Sequence, residues 1–308
     1  MTDRLHIVKM HPDALAALRA KHAPGGAQIA PGFTPKPSLN LTYRGGRTLS
    51  DMQFVNIYLG SWQASDMSSI DAALSGALAD PRLNHVVQQY FQTTIATNFV
   101  GSSNRSDATL IPGSTYNRDS VHATLANLDL SLYDVTKTVV CLYLPKGVIL
   151  DTTSSGTGGV GDAKQRTVST SEQRRDDNSL QGLGGYHGSA DLSAGAVLFA
   201  VAVYSDASDG TVNGIPVWQE PWKNVVATMY HELNEVRTDP DVEASMRQND
   251  DGLLGWYSDS GGEIGDIPMS ETGSNLSAVM MELRLEAGGT APIQLMWSNE
   301  VGGPGLPY

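Results

Sequence analysis

The chain reads as an α/β (α+β) protein, a single domain with a mixed central sheet flanked by helices. Three apolar runs predict this: 52–59 (MQFVNIYL), 138–144 (TVVCLYL) and 196–204 (AVLFAVAVY). Each is short and rich in β-branched, leucine and aromatic residues, as a strand covered on both faces requires. Stretches with helical spacing separate them, and Gly 32 with Pro 15 supplies the turns. Strand and helix signals in alternation place the strands in one sheet.

In order along the chain, 12–22 has amphipathic helical spacing behind Pro12, and 23–40, rich in Pro and Gly, reads as an arm. The domain is expected over 41–308, after an N-terminal segment 1–40. Leu41 to Gly46 ends in a turn, and 52–59 is the first core strand. Helical spacing over 69–78 aligns Ile70, Leu74 and Leu78, and 84–91 and 121–130 read as further helices. After the strand 138–144 comes a Gly/Ser/Thr/Asp-rich stretch, about 151–185, without periodicity, which reads as a surface insertion or a flap. The strand 196–204 precedes a helix over 219–236, begun by Pro221 and apolar at Val225, Val226, Met229, Leu233 and Val236. Residues 278–285 and 292–297 close the sequence as strands.

Lys+Arg 20 against Asp+Glu 33 gives a net charge of −13. That argues against a nucleic-acid partner, which needs clustered Lys and Arg, and against an anionic membrane surface. No run reaches the ~18 apolar residues of a membrane span. The N-terminus has no apolar stretch of the signal-peptide kind, so the chain as written is expected in the cytoplasm. The one cysteine, Cys141, lies inside an apolar strand, which excludes an intramolecular disulfide and predicts a buried, inert thiol.

The chemistry concentrates in Tyr230-His231-Glu232-Leu233-Asn234-Glu235. Zinc hydrolases place two ligands at i and i+4, so both point to one side of a helix, and the residue after the first ligand is a glutamate that takes a proton from the metal-bound water. His231 and Glu235 hold the ligand positions here, Glu232 holds that of the base, and Glu235 replaces the usual second histidine. Carboxylate binds zinc and also suits harder cations such as calcium. The competing reading is a surface helix whose His231 and Glu235 pair with each other or with Arg237.

Acidic residues follow the helix. Asp241 stands ten positions after His231, where some zincins carry a third ligand. Beyond it lie Asp250 and Asp251, expected as solvated loop acids, then Trp256-Tyr257, then Gly261-Gly262-Glu263-Ile264-Gly265-Asp266. Glu263 follows Glu235 by 28 residues, and the glycines around Glu263 and Asp266 let backbone approach closely. His187, in Gly184-Gly185-Tyr186-His187-Gly188, precedes the third strand and can reach the same cleft. His6, His11, His22, His85 and His122 lie in linker or ordinary helical contexts.

Tyr43-Arg44-Gly45-Gly46, Ile57-Tyr58-Leu59-Gly60-Ser61-Trp62, Gly185-Tyr186-His187-Gly188, the stretch 231–240, Gly255-Trp256-Tyr257, Glu263-Ile264-Gly265-Asp266 and Trp297-Ser298-Asn299 follow one another in an order that resembles the microbial zincin-like relatives of the plant phosphate-induced (EXORDIUM-like) family. The resemblance runs from about 41 to 299. It implies a metallopeptidase of the HExxE type with a metal at His231 and Glu235, Glu232 as base, and His187, Glu263 and Asp266 as neighbours. Such relatives are typically exported.

The expected function is metal-dependent hydrolysis of a peptide or related amide bond. Zinc is the expected ion, with a third ligand from Glu263, Asp266, Asp241 or His187. Tyr257 or His187 steadies the oxyanion, and the partner is a peptide or protein substrate. The alternative is a non-enzymatic binding or structural module with a vestigial or calcium-binding site.

Overall fold

Neighbouring parallel strands are what the three apolar runs become. The computed structural model describes residues 27–153, 178–193 and 195–307. Along them run β1 (Asp51–Leu59), α1 (Ala64–Ala79), α2 (Pro81–Gln88), β2 (Ala96–Arg105), α3 (Arg118–Ala126), β3 (Thr138–Tyr143), β4 (Gly185–Leu192) and β5 (Gly195–Ala202). There follow α4 (Pro221–Thr238), α5 (Val242–Gln248), α6 (Asp266–Thr272) and the hairpin β6 (Met280–Arg284) and β7 (Thr290–Gln294).

The central sheet has the order β2-β1-β3-β5-β4. Its first four strands are parallel, and β4 closes one edge antiparallel to β5. Alternate residues along each central strand serve opposite faces. Phe54, Tyr58, Cys141, Tyr143, Leu198 and Ala200 pack under α1, α4 and the β6–β7 hairpin, together with Ile70, Leu74, Met229, Leu233 and Ile293. Val55, Ile57, Val140, Leu142, Val197 and Phe199 pack under α3 through Val121 and Leu125. The crossovers therefore cover both faces, and the fold is α/β with a mixed sheet, as the sequence predicts. Cys141 is a free, fully buried thiol.

Local chemistry sets the helix starts. Asp80 accepts from the amides of Arg82 and Leu83, and Pro81 is the first residue of α2, so this helix begins three residues before the expected 84. Asn117 caps α3 through the Ser120 amide, moving that helix to 118–126 from the expected 121–130. Pro221 opens α4, which runs two residues past the predicted end.

Two strands carry no strand signal in the sequence. β2 is an edge strand with a mostly exposed polar C-terminal half, so it lacks an apolar run. β4 is Gly-, Ser- and Asp-containing, and its residues 185–192 were expected as the approach to the third strand. The described part of the 1–40 arm pairs Gln28–Ile29 with the C-terminal strand Gly303–Leu306. The helix expected at 12–22 and most of the expected insertion, 154–177, lie outside the described residues. Among the described residues no helix is long and apolar enough to cross a membrane.

Candidate metal centre

Positions 231, 232, 235 and 239 share one side of α4 and its C-cap, because they recur at one and two helical turns. The opposite side, with Val225, Met229, Leu233 and Val236, is locked into the core. On β4, His187 pairs with Ala200, a residue of the α4-side core, and so lies on the face beneath α4. The turn into α6 closes the third side.

Two glycines allow this convergence. A Cβ on Gly185 would stand 2.5 Å from the Val201 carbonyl oxygen and 3.1 Å from Glu232 Oε1. A Cβ on Gly265 would stand 2.5 Å from His231 Nδ1 and 2.9 Å from Glu235 Oε1. Gly265 has φ −89, so any residue could adopt its backbone and space alone demands glycine.

Each histidine has one ring nitrogen fixed by an oxygen that can only accept. The Gln294 amide donates to the Gly265 carbonyl at 2.6 Å, which turns its Oε1 toward His231 Nδ1 at 2.8 Å. Nδ1 of His231 therefore carries hydrogen, and Nε2 faces Glu235 Oε2 at 3.0 Å and Asp266 Oδ1 at 3.7 Å. The Asp239 carbonyl lies 3.3 Å from His187 Nε2, leaving Nδ1 to face Glu232 Oε2 at 3.2 Å and Glu235 Oε2 at 3.5 Å. A bare ring nitrogen opposite a carboxylate oxygen is repulsive, so each such edge must hold a proton or a cation. Anchoring of the distal nitrogen by a carbonyl or carboxamide is also how metal-binding histidines are held.

His187, Glu232 and Glu235 are all buried and form a group able to hold a metal ion; His231, Glu235 and the exposed Asp266 form a second. Glu235 Oε1 accepts from the amides of Gly265 and Asp266, which aims Oε2 at the histidines. Two buried acceptors are left over. Among the described residues, Glu263 Oε1 and Asp239 Oδ2 accept no hydrogen bond, although Glu263 Oε1 comes within 3.5 Å of His187 Nε2. An orphaned buried carboxylate oxygen is costly without a proton or cation nearby, so the residues fit an ion.

The titration shifts describe the same excess of negative charge. Burial pushes the Glu263 carboxyl well above its usual range, and the charges of Glu235 and Asp239 push further. Burial raises Asp239 to about 7 despite its bond from the Gly255 amide. Burial disfavours charged rings at His187 and His231, yet the surrounding carboxylates prevail. His187 rises to about 9 through Glu232 and Glu235, and His231 rises well above its ordinary value through Glu235 and Glu232. Without an ion, protons hold this cluster together.

His187, His231, Glu232, Glu235, Glu263 and Asp266 thus lie together. Tyr257 lies within electrostatic reach of them: burial pushes its hydroxyl up to about 12, and the charges of Glu263 and Asp266 add to that. Asp241 does not join. Arg47 holds it in a two-pronged ion pair at 2.7 and 2.9 Å, so this expected third-ligand candidate is spent on the loop before β1. Arg237 takes no part either, since its guanidinium is buried against Thr97. Asp250 and Asp251 are exposed, as expected.

Two participants escaped the sequence reading: Asp239 and Gln294. Asp239 continues the 231–235 stripe by one more turn, and Gln294 is a lone polar residue inside Ile293-Gln294-Leu295, both signals present in the sequence. Comparison with family models, with curated proteins and with solved structures matches nothing. The fold and site therefore define the chain as an α/β protein with a buried His/Glu group able to hold a metal.

Proposed function

We propose that the protein is a metal-dependent hydrolase of peptide or related amide bonds, with zinc as the ion, a distant member of the zincin-like relatives of the EXORDIUM-like family. The observation that carries this is the pair of histidines whose distal nitrogens are anchored while the others face Glu235. His231, Glu235 and Asp266 hold the ion at the open edge, where Asp266 meets solvent. A bound divalent ion supplies an acidified water and polarises the substrate carbonyl. Glu232, kept in place by His187 at 3.2 Å, accepts the proton. Tyr257, whose hydroxyl stays protonated through neutral pH, donates a hydrogen bond to the developing oxyanion.

The test is the metal content and peptidase activity of wild type and Glu232→Gln. A stoichiometric divalent ion in both, with hydrolysis in wild type alone, supports the reading. Absence of any bound divalent ion in both proteins ends it.

The burial of His187, Glu232 and Glu235 favours a second reading, in which the ion is structural and the protein a binding module. Carboxylate-rich surroundings suit calcium. Thermal stability that rises with calcium and ignores zinc, with no hydrolysis, would establish that reading.

A further inference from the structure

The two groups of ligand atoms share one residue, Glu235. Four of their separations involve a histidine nitrogen. His231 Nε2 to Glu235 Oε2 is 3.0 Å, and His231 Nε2 to Asp266 Oδ1 is 3.7 Å. His187 Nδ1 to Glu232 Oε2 is 3.2 Å, and His187 Nδ1 to Glu235 Oε2 is 3.5 Å. Ligands held ~2.1 Å from a tetrahedral ion stand ~3.4 Å from one another. The two longer separations exceed a good hydrogen bond, yet all four match the edges of a coordination shell.

Charge permits both ions. The ligand carboxylates Glu232, Glu235 and Asp266 carry −3 when ionised, and the imidazoles are neutral when they act as ligands. One divalent ion leaves −3 + 2 = −1, and two leave −3 + 4 = +1, which an ionised Asp239 or Glu263 beside them balances. Glu263 Oε1, unpartnered among the described residues, lies 3.5 Å from Nε2 of the same His187, on the ring edge away from Nδ1.

We propose that the centre takes two divalent cations, one on each side of Glu235. The inner one is held by His187 Nδ1, Glu232 and Glu235, and the outer one by His231 Nε2, Glu235 and Asp266. Because the amides of Gly265 and Asp266 occupy Glu235 Oε1, both ions share Oε2. A single-atom bridge places them ~3.5–4 Å apart, the spacing of two-metal hydrolytic sites. This rests on reading the outer group as a metal site. It changes one assignment there: Glu232 becomes an inner ligand, and its second oxygen alone remains to accept a proton.

The experiment loads the full chain with Zn2+, removes excess by dialysis and counts bound zinc per chain by mass spectrometry. A parallel sample is loaded with Mn2+ for electron paramagnetic resonance. Wild type is expected to hold two ions and to give an exchange-coupled Mn2+ spectrum. Asp266→Asn and His187→Gln are each expected to hold one ion and to give the sextet of an isolated Mn2+. Asp266 is exposed, so its variant keeps the test decisive even if His187→Gln does not fold. One ion in wild type, or uncoupled Mn2+ there, overturns the paired centre and leaves the single-metal hydrolase standing. Two coupled ions in Asp266→Asn overturn the ligand set, and no bound ion at all removes both readings.

Discussion

Gln294 fixes the tautomer of His231. Its amide hydrogens are committed to the Gly265 carbonyl, so only its oxygen can meet His231 Nδ1 at 2.8 Å, and Nε2 is left for Glu235. Both partners come from elements distant in sequence, β7 and α4, and the contact exists only because the hairpin docks along the helix.

Gln294→Leu therefore tests the site without touching a ligand. It removes the acceptor that orients His231 and strips the Gly265 carbonyl of its donor. Zinc affinity is expected to fall roughly 10–100-fold, read by competition with a chromogenic chelator. Stability should fall by about 1–3 kcal/mol for the unsatisfied carbonyl. Unchanged affinity would mean that His231 is not a ligand.

Gly265→Ala addresses space. The added methyl would meet His231 Nδ1 at 2.5 Å and Glu235 Oε1 at 2.9 Å, and the backbone there needs no left-handed conformation. The turn must shift away from α4, which breaks the amide bonds to Glu235 Oε1. A loss of about 1–3 kcal/mol and of bound metal is expected, from urea titration and metal analysis. A variant as stable and as metal-loaded as wild type would show that this close approach does not exist in solution.

The sequence makes the middle of this molecule legible and its edges opaque. β1, β3 and β5 are largely buried on both faces, so apolar residues dominate their runs, and α4 repeats its apolar positions with helical spacing. β2 and β4 are edges whose pattern is set by solvent and by close backbone contact, and periodicity does not report either. The same division holds at the site. The i, i+4 spacing of His231 and Glu235 is local and readable, and His187 and Glu263 could be named only as two of four candidates for a third ligand. Asp241 shows the limit, since its spacing fitted a ligand and a distant Arg47 decided otherwise.

Arg237 lies on the far side of α4 from the acids, fully buried, with Nε and Nη1 unpartnered among the described residues and Nη2 on the Thr97 hydroxyl. Burial pulls its pKa down to about 10. A buried cation without an anion is a net cost, so Arg237→Met, which keeps the aliphatic volume, is expected to leave stability unchanged or raise it, by up to about 4 kcal/mol. A drop of more than about 2 kcal/mol in the urea-unfolding free energy would show that the guanidinium is satisfied in solution.

The ion-free protein should weaken as pH rises, the reverse of ordinary acid denaturation. His187 titrates near 9 when folded against 6.5 when unfolded, so its contribution is complete below 6.5 and disappears as pH passes 9. That contribution is roughly 3 kcal/mol at most, at about 1.4 kcal/mol for each pH unit of separation. Asp239, raised to about 7 from 3.8, acts with the same sign: its protonated form is favoured on folding, and this is lost between pH 4 and 7. In chelator, the urea midpoint is expected to fall between pH 5 and pH 9. Divalent ions compete with those protons for the same edges, so with zinc present the midpoint should hold or rise over that range. Parallel pH profiles with and without zinc would argue that nothing but protons ever occupies the space between the histidines and Glu235.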